Sequence, residues 1–214
     1  MRRYTGYLFD LDGTLVDTAP DINVALNHAL ASRGHPPVDE ALTRHWVGHG
    51  ARALVTQAME RSELPEAEAE DLIESFIAHY GAHIAVESRP YPGVVEVLGR
   101  LRAEGARLAV VTNKRTQLTE PLLAALGLDE YLAAIVCGDT TERPKPAPDP
   151  ALHACRLLDI AVGEALFVGD SETDVKCARA AGCPVVVVRD GYNHGIPAHA
   201  LLADAVIESF HDLV

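Results

Sequence analysis

Four apolar runs, at 108–111, 134–137, 165–168 and 184–188, alternate with segments that carry apolar residues at helical spacing. Strands that read as continuous hydrophobic runs are buried on both faces, and strands separated by helices pair in parallel. The pattern predicts an α/β fold: a parallel sheet covered by helices at 94–104, 116–126, 150–158 and 174–180. A further run at 4–9 has to rejoin this sheet, and a short strand at 205–207 and a last helical turn close the chain.

Between residues 21 and 86 the texture changes. Helical spacing recurs at 22–33, 40–46, 51–61 and 65–82, no strand pattern stands there, and Gly34-His35-Pro36-Pro37 punctuates it. The turn-rich Arg89-Pro90-Tyr91-Pro92-Gly93 ends it. The expected organisation is a Rossmann-like core built from 1–16 and 90–214 with a helical insertion at 17–89. A length of 214 residues accommodates a core with such an insertion.

The charge balance narrows the partners. Eighteen basic against 31 acidic residues leave a net charge of -13, which opposes nonspecific attraction to nucleic acid or anionic membrane. An anionic substrate would therefore need a local device, a bound metal or a placed lysine. Cys137, Cys155, Cys177 and Cys183 form no C-x-x-C pair and read as reduced core thiols. No apolar stretch has the length of a membrane span or a signal peptide, so a cytoplasmic protein is expected.

Chemistry gathers at the strand ends. The run at 4–9 leads directly into Asp10 and Asp12, and Gly13 lets the chain turn after them. A strand followed by a helix cap at Thr18 and Pro20 accounts for the later residues. It gives no reason for two like charges at the end of a buried strand. Three other strand ends are followed by Thr112-Asn113-Lys114, Arg143-Pro144-Lys145-Pro146 and Gly169-Asp170-Ser171-Glu172-Thr173-Asp174. In a parallel sheet these ends share one edge and converge on one crevice. Asp10 and Asp170 offer the oxygen ligands that suit Mg²⁺, Thr112 a hydroxyl near helix N-terminal amides for phosphate, and Lys145 a point charge.

In these four motifs, Asp10 to Thr18, Thr112-Asn113, Lys145 and Gly169 to Asp174, the chain resembles the phosphatases of the haloacid dehalogenase superfamily. The resemblance implies that family's fold with an inserted α-helical cap. It also implies a two-step displacement in which Asp10 attacks phosphorus and Asp12 exchanges protons with the leaving alcohol and then with water. Asp12 would lend Mg²⁺ its backbone carbonyl, Asp170 would ligate the ion, and Asp174 would lie in or next to its shell. Thr112 and Lys145 would hold the phosphoryl group, and Asn113, the third member of this phosphate-binding set, would help position that loop. Carboxylates outnumber cations in this set, so an electrostatically crowded site is expected. Asp12 also separates the chain from dehalogenases, whose halide leaving group needs no proton.

Within the phosphatases, His45-Trp46-Val47-Gly48-His49-Gly50 and Gly191-Tyr192-Asn193-His194-Gly195 resemble two loops of the bacterial phosphoglycolate phosphatase family, from which His49 and His194 depart. The implied partner is a small phosphorylated metabolite, 2-phosphoglycolate first, acted on by a monomer or homodimer that binds neither nucleic acid nor membrane. Phosphatases of sugar or sugar-acid phosphates, a phosphomutase and a pyrophosphatase share the core pattern. A noncatalytic binding module would have no use for nucleophile and acid together. Gly48, His49, Gly50 and Arg52 are the expected specificity residues of the cap, set against an ordinary interhelical turn and a solvated arginine. Hinges are expected at 16–18 and 88–92. His79 and His83 have zinc-pair spacing, but Tyr80 stands where the following glutamate belongs, which favours packing.

Overall fold

The computed structural model describes residues 3–214. The chain opens with β1 (Gly6–Phe9) and β2 (Val16–Asp17), then runs through helices α1 (Ala19–Ser32), α2 (Glu40–Trp46), α3 (Ala51–Arg61) and α4 (Ala69–Ala82). After β3 (Arg89–Pro90) and α5 (Val94–Ala103) it alternates: β4 (Arg107–Val111), α6 (Thr116–Ala125), β5 (Ala134–Val136) and α7 (Asp149–Leu158). It then continues through β6 (Ala165–Gly169), α8 (Glu172–Ala181), β7 (Val185–Val188) and β8 (Ala205–Ile207).

Six strands form one parallel sheet in the order β5-β4-β1-β6-β7-β8. Every residue of β1 is buried, as its apolar run requires. Its side chains alternate between the two faces. Tyr7 and Phe9 join a core with Leu98 and Leu101 of α5 and Leu122 of α6, while Leu8 joins Ala154 and Leu158 of α7 and Ala178 of α8. This double cover is what the continuous hydrophobic runs predicted. The register sets Phe9 opposite Val110 on one side and Val168 on the other. Asp10, Thr112 and Asp170 consequently leave the sheet at the same edge, where the strand order turns about β1.

A third hydrophobic cluster belongs to the helices of the insertion. Leu26 and Leu30 of α1, Leu54 of α3, and Leu72 and Phe76 of α4 are buried together, and α1 lies against α4. Leu118 of α6 and Tyr192 are the residues from outside 19–80 that enter this cluster. The four helices fall where the spacing placed them, except that α1 begins at Ala19 and a single 3₁₀ turn, Glu66–Glu68, precedes α4.

The pair β2 and β3 is absent from the sequence reading. Val16 lies opposite Pro90 and Asp17 opposite Arg89 in an antiparallel ribbon, where the chain enters and leaves the helices. Two residues per strand are too few to show a period. The ribbon sits within the expected hinge segments. Thr18 does occupy the N-cap position of α1, but its hydroxyl caps no N–H and is engaged elsewhere. The four cysteines are buried and free. Among the described residues no helix is long and apolar enough to cross a membrane.

Candidate active site

The end of β1 is held from both sides. The Asp10 N–H donates to the Val168 carbonyl at 2.9 Å, and the Leu11 carbonyl accepts from Leu15 and Val16, each at 3.0 Å. Gly13 turns with φ +82°, and a Cβ there would lie 2.5 Å from Asp170 Oδ2 and 2.7 Å from the Tyr192 ring. Only glycine combines that dihedral with that approach.

Asp10 is buried, and Oδ1 takes both of its protein donors, the Leu11 N–H at 2.7 Å and the Lys145 ammonium at 2.8 Å. Lys145, also buried, bonds Asp174 Oδ1 at 2.7 Å. The other Asp174 oxygen accepts from the Ser171 hydroxyl and from the N–H groups of Asp170 and Ser171. Asp170 accepts from the Thr14 hydroxyl at 2.7 Å and the Tyr192 N–H at 2.5 Å. Burial and the neighbouring Asp174 carboxylate push the Asp10 carboxyl up to about 7 against the pull of Lys145. Asp170 is also raised, by burial and then by Asp174 and Asp10. Lys145 is held above the ordinary lysine value because the two carboxylates outweigh its burial.

This cluster fits a hard divalent cation. Ligand atoms of Asp10, Asp170 and Asp174 lie within 4.8 Å of one another, all three are buried, and Lys145 is the ammonium paired among them. Asp10 and Asp170 are raised by burial and by neighbouring carboxylates, and a cation with oxygen preference would supply the positive charge that opposes both. Asp174 is the most heavily engaged of the three: Oδ1 accepts from Lys145, and Oδ2 accepts from the Ser171 hydroxyl and two backbone N–H groups.

Asp12 has a different environment. The Lys114 ammonium contacts its two oxygens at 2.8 and 2.9 Å, and the Thr18 hydroxyl donates to Oδ1 at 2.8 Å. Lys114 also lies over the ring face of Tyr80, 4.7 Å from its centroid. The sequence reading left Lys114 without a role and counted one cation too few. The signal available was its place directly after Thr112-Asn113 at a strand end. The two acids that follow β1 therefore sit in two separate ion pairs, Asp10 with Lys145 and Asp12 with Lys114.

Thr112 is buried, and its hydroxyl accepts from the Lys114 N–H at 3.2 Å. The Asn113 side chain clasps the backbone of Lys145, donating to its carbonyl and accepting from its N–H, each at 3.0 Å. It also donates to the Gly48 carbonyl at 3.1 Å. Those contacts brace two loops and engage its side-chain amide.

Over the strand ends lies a cleft open to solvent. Asp10, Asp12, Thr112 and Lys114 form its floor, and Gly48 and Gly50 stand on its wall with Val47 and Leu54. His49 turns to another neighbour: its ring stacks on His194 at 4.8 Å, and burial followed by that histidine lowers its pKa. Arg52 is not on the wall. Its guanidinium is exposed and pairs with Glu70 at 2.7 Å in a surface ion pair within the helices. The rings of His28, His79 and His83 stack in a column, and His83 Nδ1–H donates to the His79 carbonyl at 3.0 Å, in line with the packing reading.

Tyr192 joins the late loop to the start of the helices. Its hydroxyl accepts from the N–H groups of Thr18 and Ala19, both at 2.9 Å, and donates to Asp17 Oδ1 at 2.5 Å. Burial tends to raise Asp17, but Arg44 and the Tyr192 hydroxyl outweigh it and hold the carboxyl below its ordinary value. The two glycines flanking Tyr192 marked the loop; they gave no sign that its phenol caps α1.

Comparison with known proteins agrees with this arrangement. A phosphoglycolate phosphatase of Cupriavidus necator is 45% identical over 98% of this chain and 91% of its own length. An N-acetylmuramic acid 6-phosphate phosphatase of Pseudomonas aeruginosa is 42% identical over 99% of this chain and 94% of its own. The crystal structure of a predicted phosphoglycolate phosphatase from Haemophilus somnus superposes with a TM-score of 0.93, at 36% identity, covering 100% of this chain and 97% of that one. With residues 7–188 also matching the model of the haloacid dehalogenase-like hydrolases, the chain belongs to that family.

Proposed function

We propose that this phosphatase hydrolyses small phosphate monoesters through an aspartyl-phosphate on Asp10, with Mg²⁺ as cofactor and 2-phosphoglycolate as principal substrate. The observation that carries the reading is the separation of the two acids. Asp10 stands in the carboxylate cluster with Lys145, and Asp12 stands outside it with Lys114. That separation supports a division of labour in which one attacks phosphorus and the other exchanges protons with the groups that leave and enter.

In the first step an Asp10 oxygen bonds phosphorus as the ester P–O bond breaks, and the departing oxygen takes a proton from Asp12. In the second, Asp12 removes a proton from water as its oxygen attacks phosphorus, and phosphate and the Asp10 carboxylate are released. Lys145 and Thr112 bind the transferring oxygens, Asp174 holds Lys145 in place, and Asn113 braces its loop. Asp10, Asp170 and the Asp12 carbonyl would hold Mg²⁺, with Asp174 beside them; when bound it supplies positive charge against the phosphoryl oxygens.

Residues 17–89 act in this account as a cap domain hinged on the β2–β3 ribbon over a core of 1–16 and 90–214, residues 1 and 2 lying outside those described. The separate hydrophobic cluster of α1 to α4 supports that division. A cap over the leaving group controls both water access and choice of substrate. The relative from P. aeruginosa makes a sugar-acid phosphate the second reading. The test is turnover of purified protein, with Mg²⁺ and with chelator, on 2-phosphoglycolate, sugar phosphates, sugar-acid phosphates and pyrophosphate. Metal-dependent release of phosphate with the highest kcat/KM on phosphoglycolate is expected; no turnover on any of them would overturn the proposal.

A further inference from the structure

We propose that Arg115 recognises the leaving group of the substrate and that it does so through a carboxylate on that group; this rests on the phosphatase reading above. The charges on the cleft are Asp10, Asp12, Lys114 and Arg115. Lys114 is committed to Asp12, and Lys145, buried beneath, is committed to Asp10 and Asp174. Arg115 is exposed and, among the described residues, forms no hydrogen bond or ion pair through its side chain. It contributes a weak through-space attraction to Asp139, a carboxylate whose Oδ1 already accepts from the N–H and hydroxyl of Thr116. A cation left unpaired on the wall of an acidic cleft in an acidic protein is the natural seat of an incoming anion.

Its place in the chain fixes which end of the substrate it meets. Arg115 directly follows Lys114, whose ammonium touches both oxygens of Asp12, the residue that hands a proton to the departing oxygen. Arg115 therefore stands on the leaving-group side, whereas the phosphoryl group is gripped from Lys145 and Thr112. Most of the remaining lining is apolar, with Ile22, Val47, Leu54, Phe76 and Leu118 around the single phenol of Tyr80. Such a wall offers a sugar ring few partners for its hydroxyls, and each hydroxyl buried without one is penalised. A short chain ending in one anionic fork fits it, and a guanidinium binds a carboxylate through two parallel hydrogen bonds. Arg52, set in the sequence between a cap specificity role and a solvated arginine, is already paired on the outer surface with Glu70.

The experiment compares 2-phosphoglycolate with ethyl phosphate, which lacks the carboxylate, in the full chain and in Arg115→Met and Arg115→Lys. The ratio of kcat/KM for phosphoglycolate to that for ethyl phosphate is expected to fall about 10- to 100-fold in Arg115→Met, through KM, and to recover in part in Arg115→Lys. A ratio unchanged in Arg115→Met while the wild-type enzyme turns over phosphoglycolate overturns the assignment and leaves the phosphatase reading intact. Failure of the wild-type enzyme to act on either ester removes both.

Discussion

Lys114 reaches across 102 residues of chain to set its ammonium on both carboxylate oxygens of Asp12, at 2.8 and 2.9 Å. The pair is almost wholly buried, with side-chain exposures of 5% and 12%. Removing one member of such a pair strands the other charge in a poor solvent for it, at a cost of about 3 kcal/mol. Lys114→Met is accordingly expected to lower the free energy of unfolding by about that amount. Adding Asp12→Asn should recover part of the loss, because the stranded charge is gone. A double-mutant cycle by urea denaturation checks this; additive losses would show the pair to be uncoupled.

Tyr192 makes a second long-range tie, with testable weight. Its hydroxyl serves two backbone N–H groups of α1 and one oxygen of Asp17. Tyr192→Phe keeps the ring in the helical cluster and removes all three bonds. The expected loss of stability is about 1–3 kcal/mol, the cost of leaving buried donors unmet. Since Thr18 and Ala19 lie beside the β2–β3 ribbon, proteolysis at 16–20 should also accelerate in the variant. A thermal melt and a limited-digestion time course measure the two effects.

The site was legible in the sequence to the extent that local chemistry announces itself. Asp10, Asp170 and Lys145 were found because an acid or a caged lysine at a strand end is conspicuous, and a parallel sheet brings such ends together. What escaped was partnership. Lys114 was visible as a residue, but its bond to Asp12 depends on how β4 sits beside β1. Arg52 and Arg115 are alike in the sequence, but the packing of α3 against α4 brings the first to Glu70, and the turn from β4 into α6 brings the second to the cleft. The helices were placed well because each buries a full apolar stripe, whereas β2 and β3 have two residues each and no stripe to read.

The acidic cluster predicts a dependence on pH and metal. Asp10 titrates near 7 in the folded chain against an ordinary value of 3.8, so between those values the folded state holds a proton that the unfolded state has lost. Stability without metal should therefore fall as pH rises through that window, and Asp170, raised for the same reasons, acts in the same direction. A divalent cation bound to the ionised cluster reverses the loss. Melting curves in chelator should show Tm falling from about pH 5 to about pH 8, with the gain from added Mg²⁺ larger at the higher pH. A Mg²⁺ effect that is greater at the acid end would contradict the assignment of the cluster.

The central claim is that Asp10 carries the phosphoryl group, and rapid acid quench during turnover of ³²P-labelled 2-phosphoglycolate tests it most directly. The account predicts protein-bound label that maps to the peptide containing Asp10. It also predicts no such label in Asp10→Asn, whose kcat falls by about 10⁴-fold or more. Asp10→Asn working at the wild-type rate, or label that maps to another residue, would contradict it.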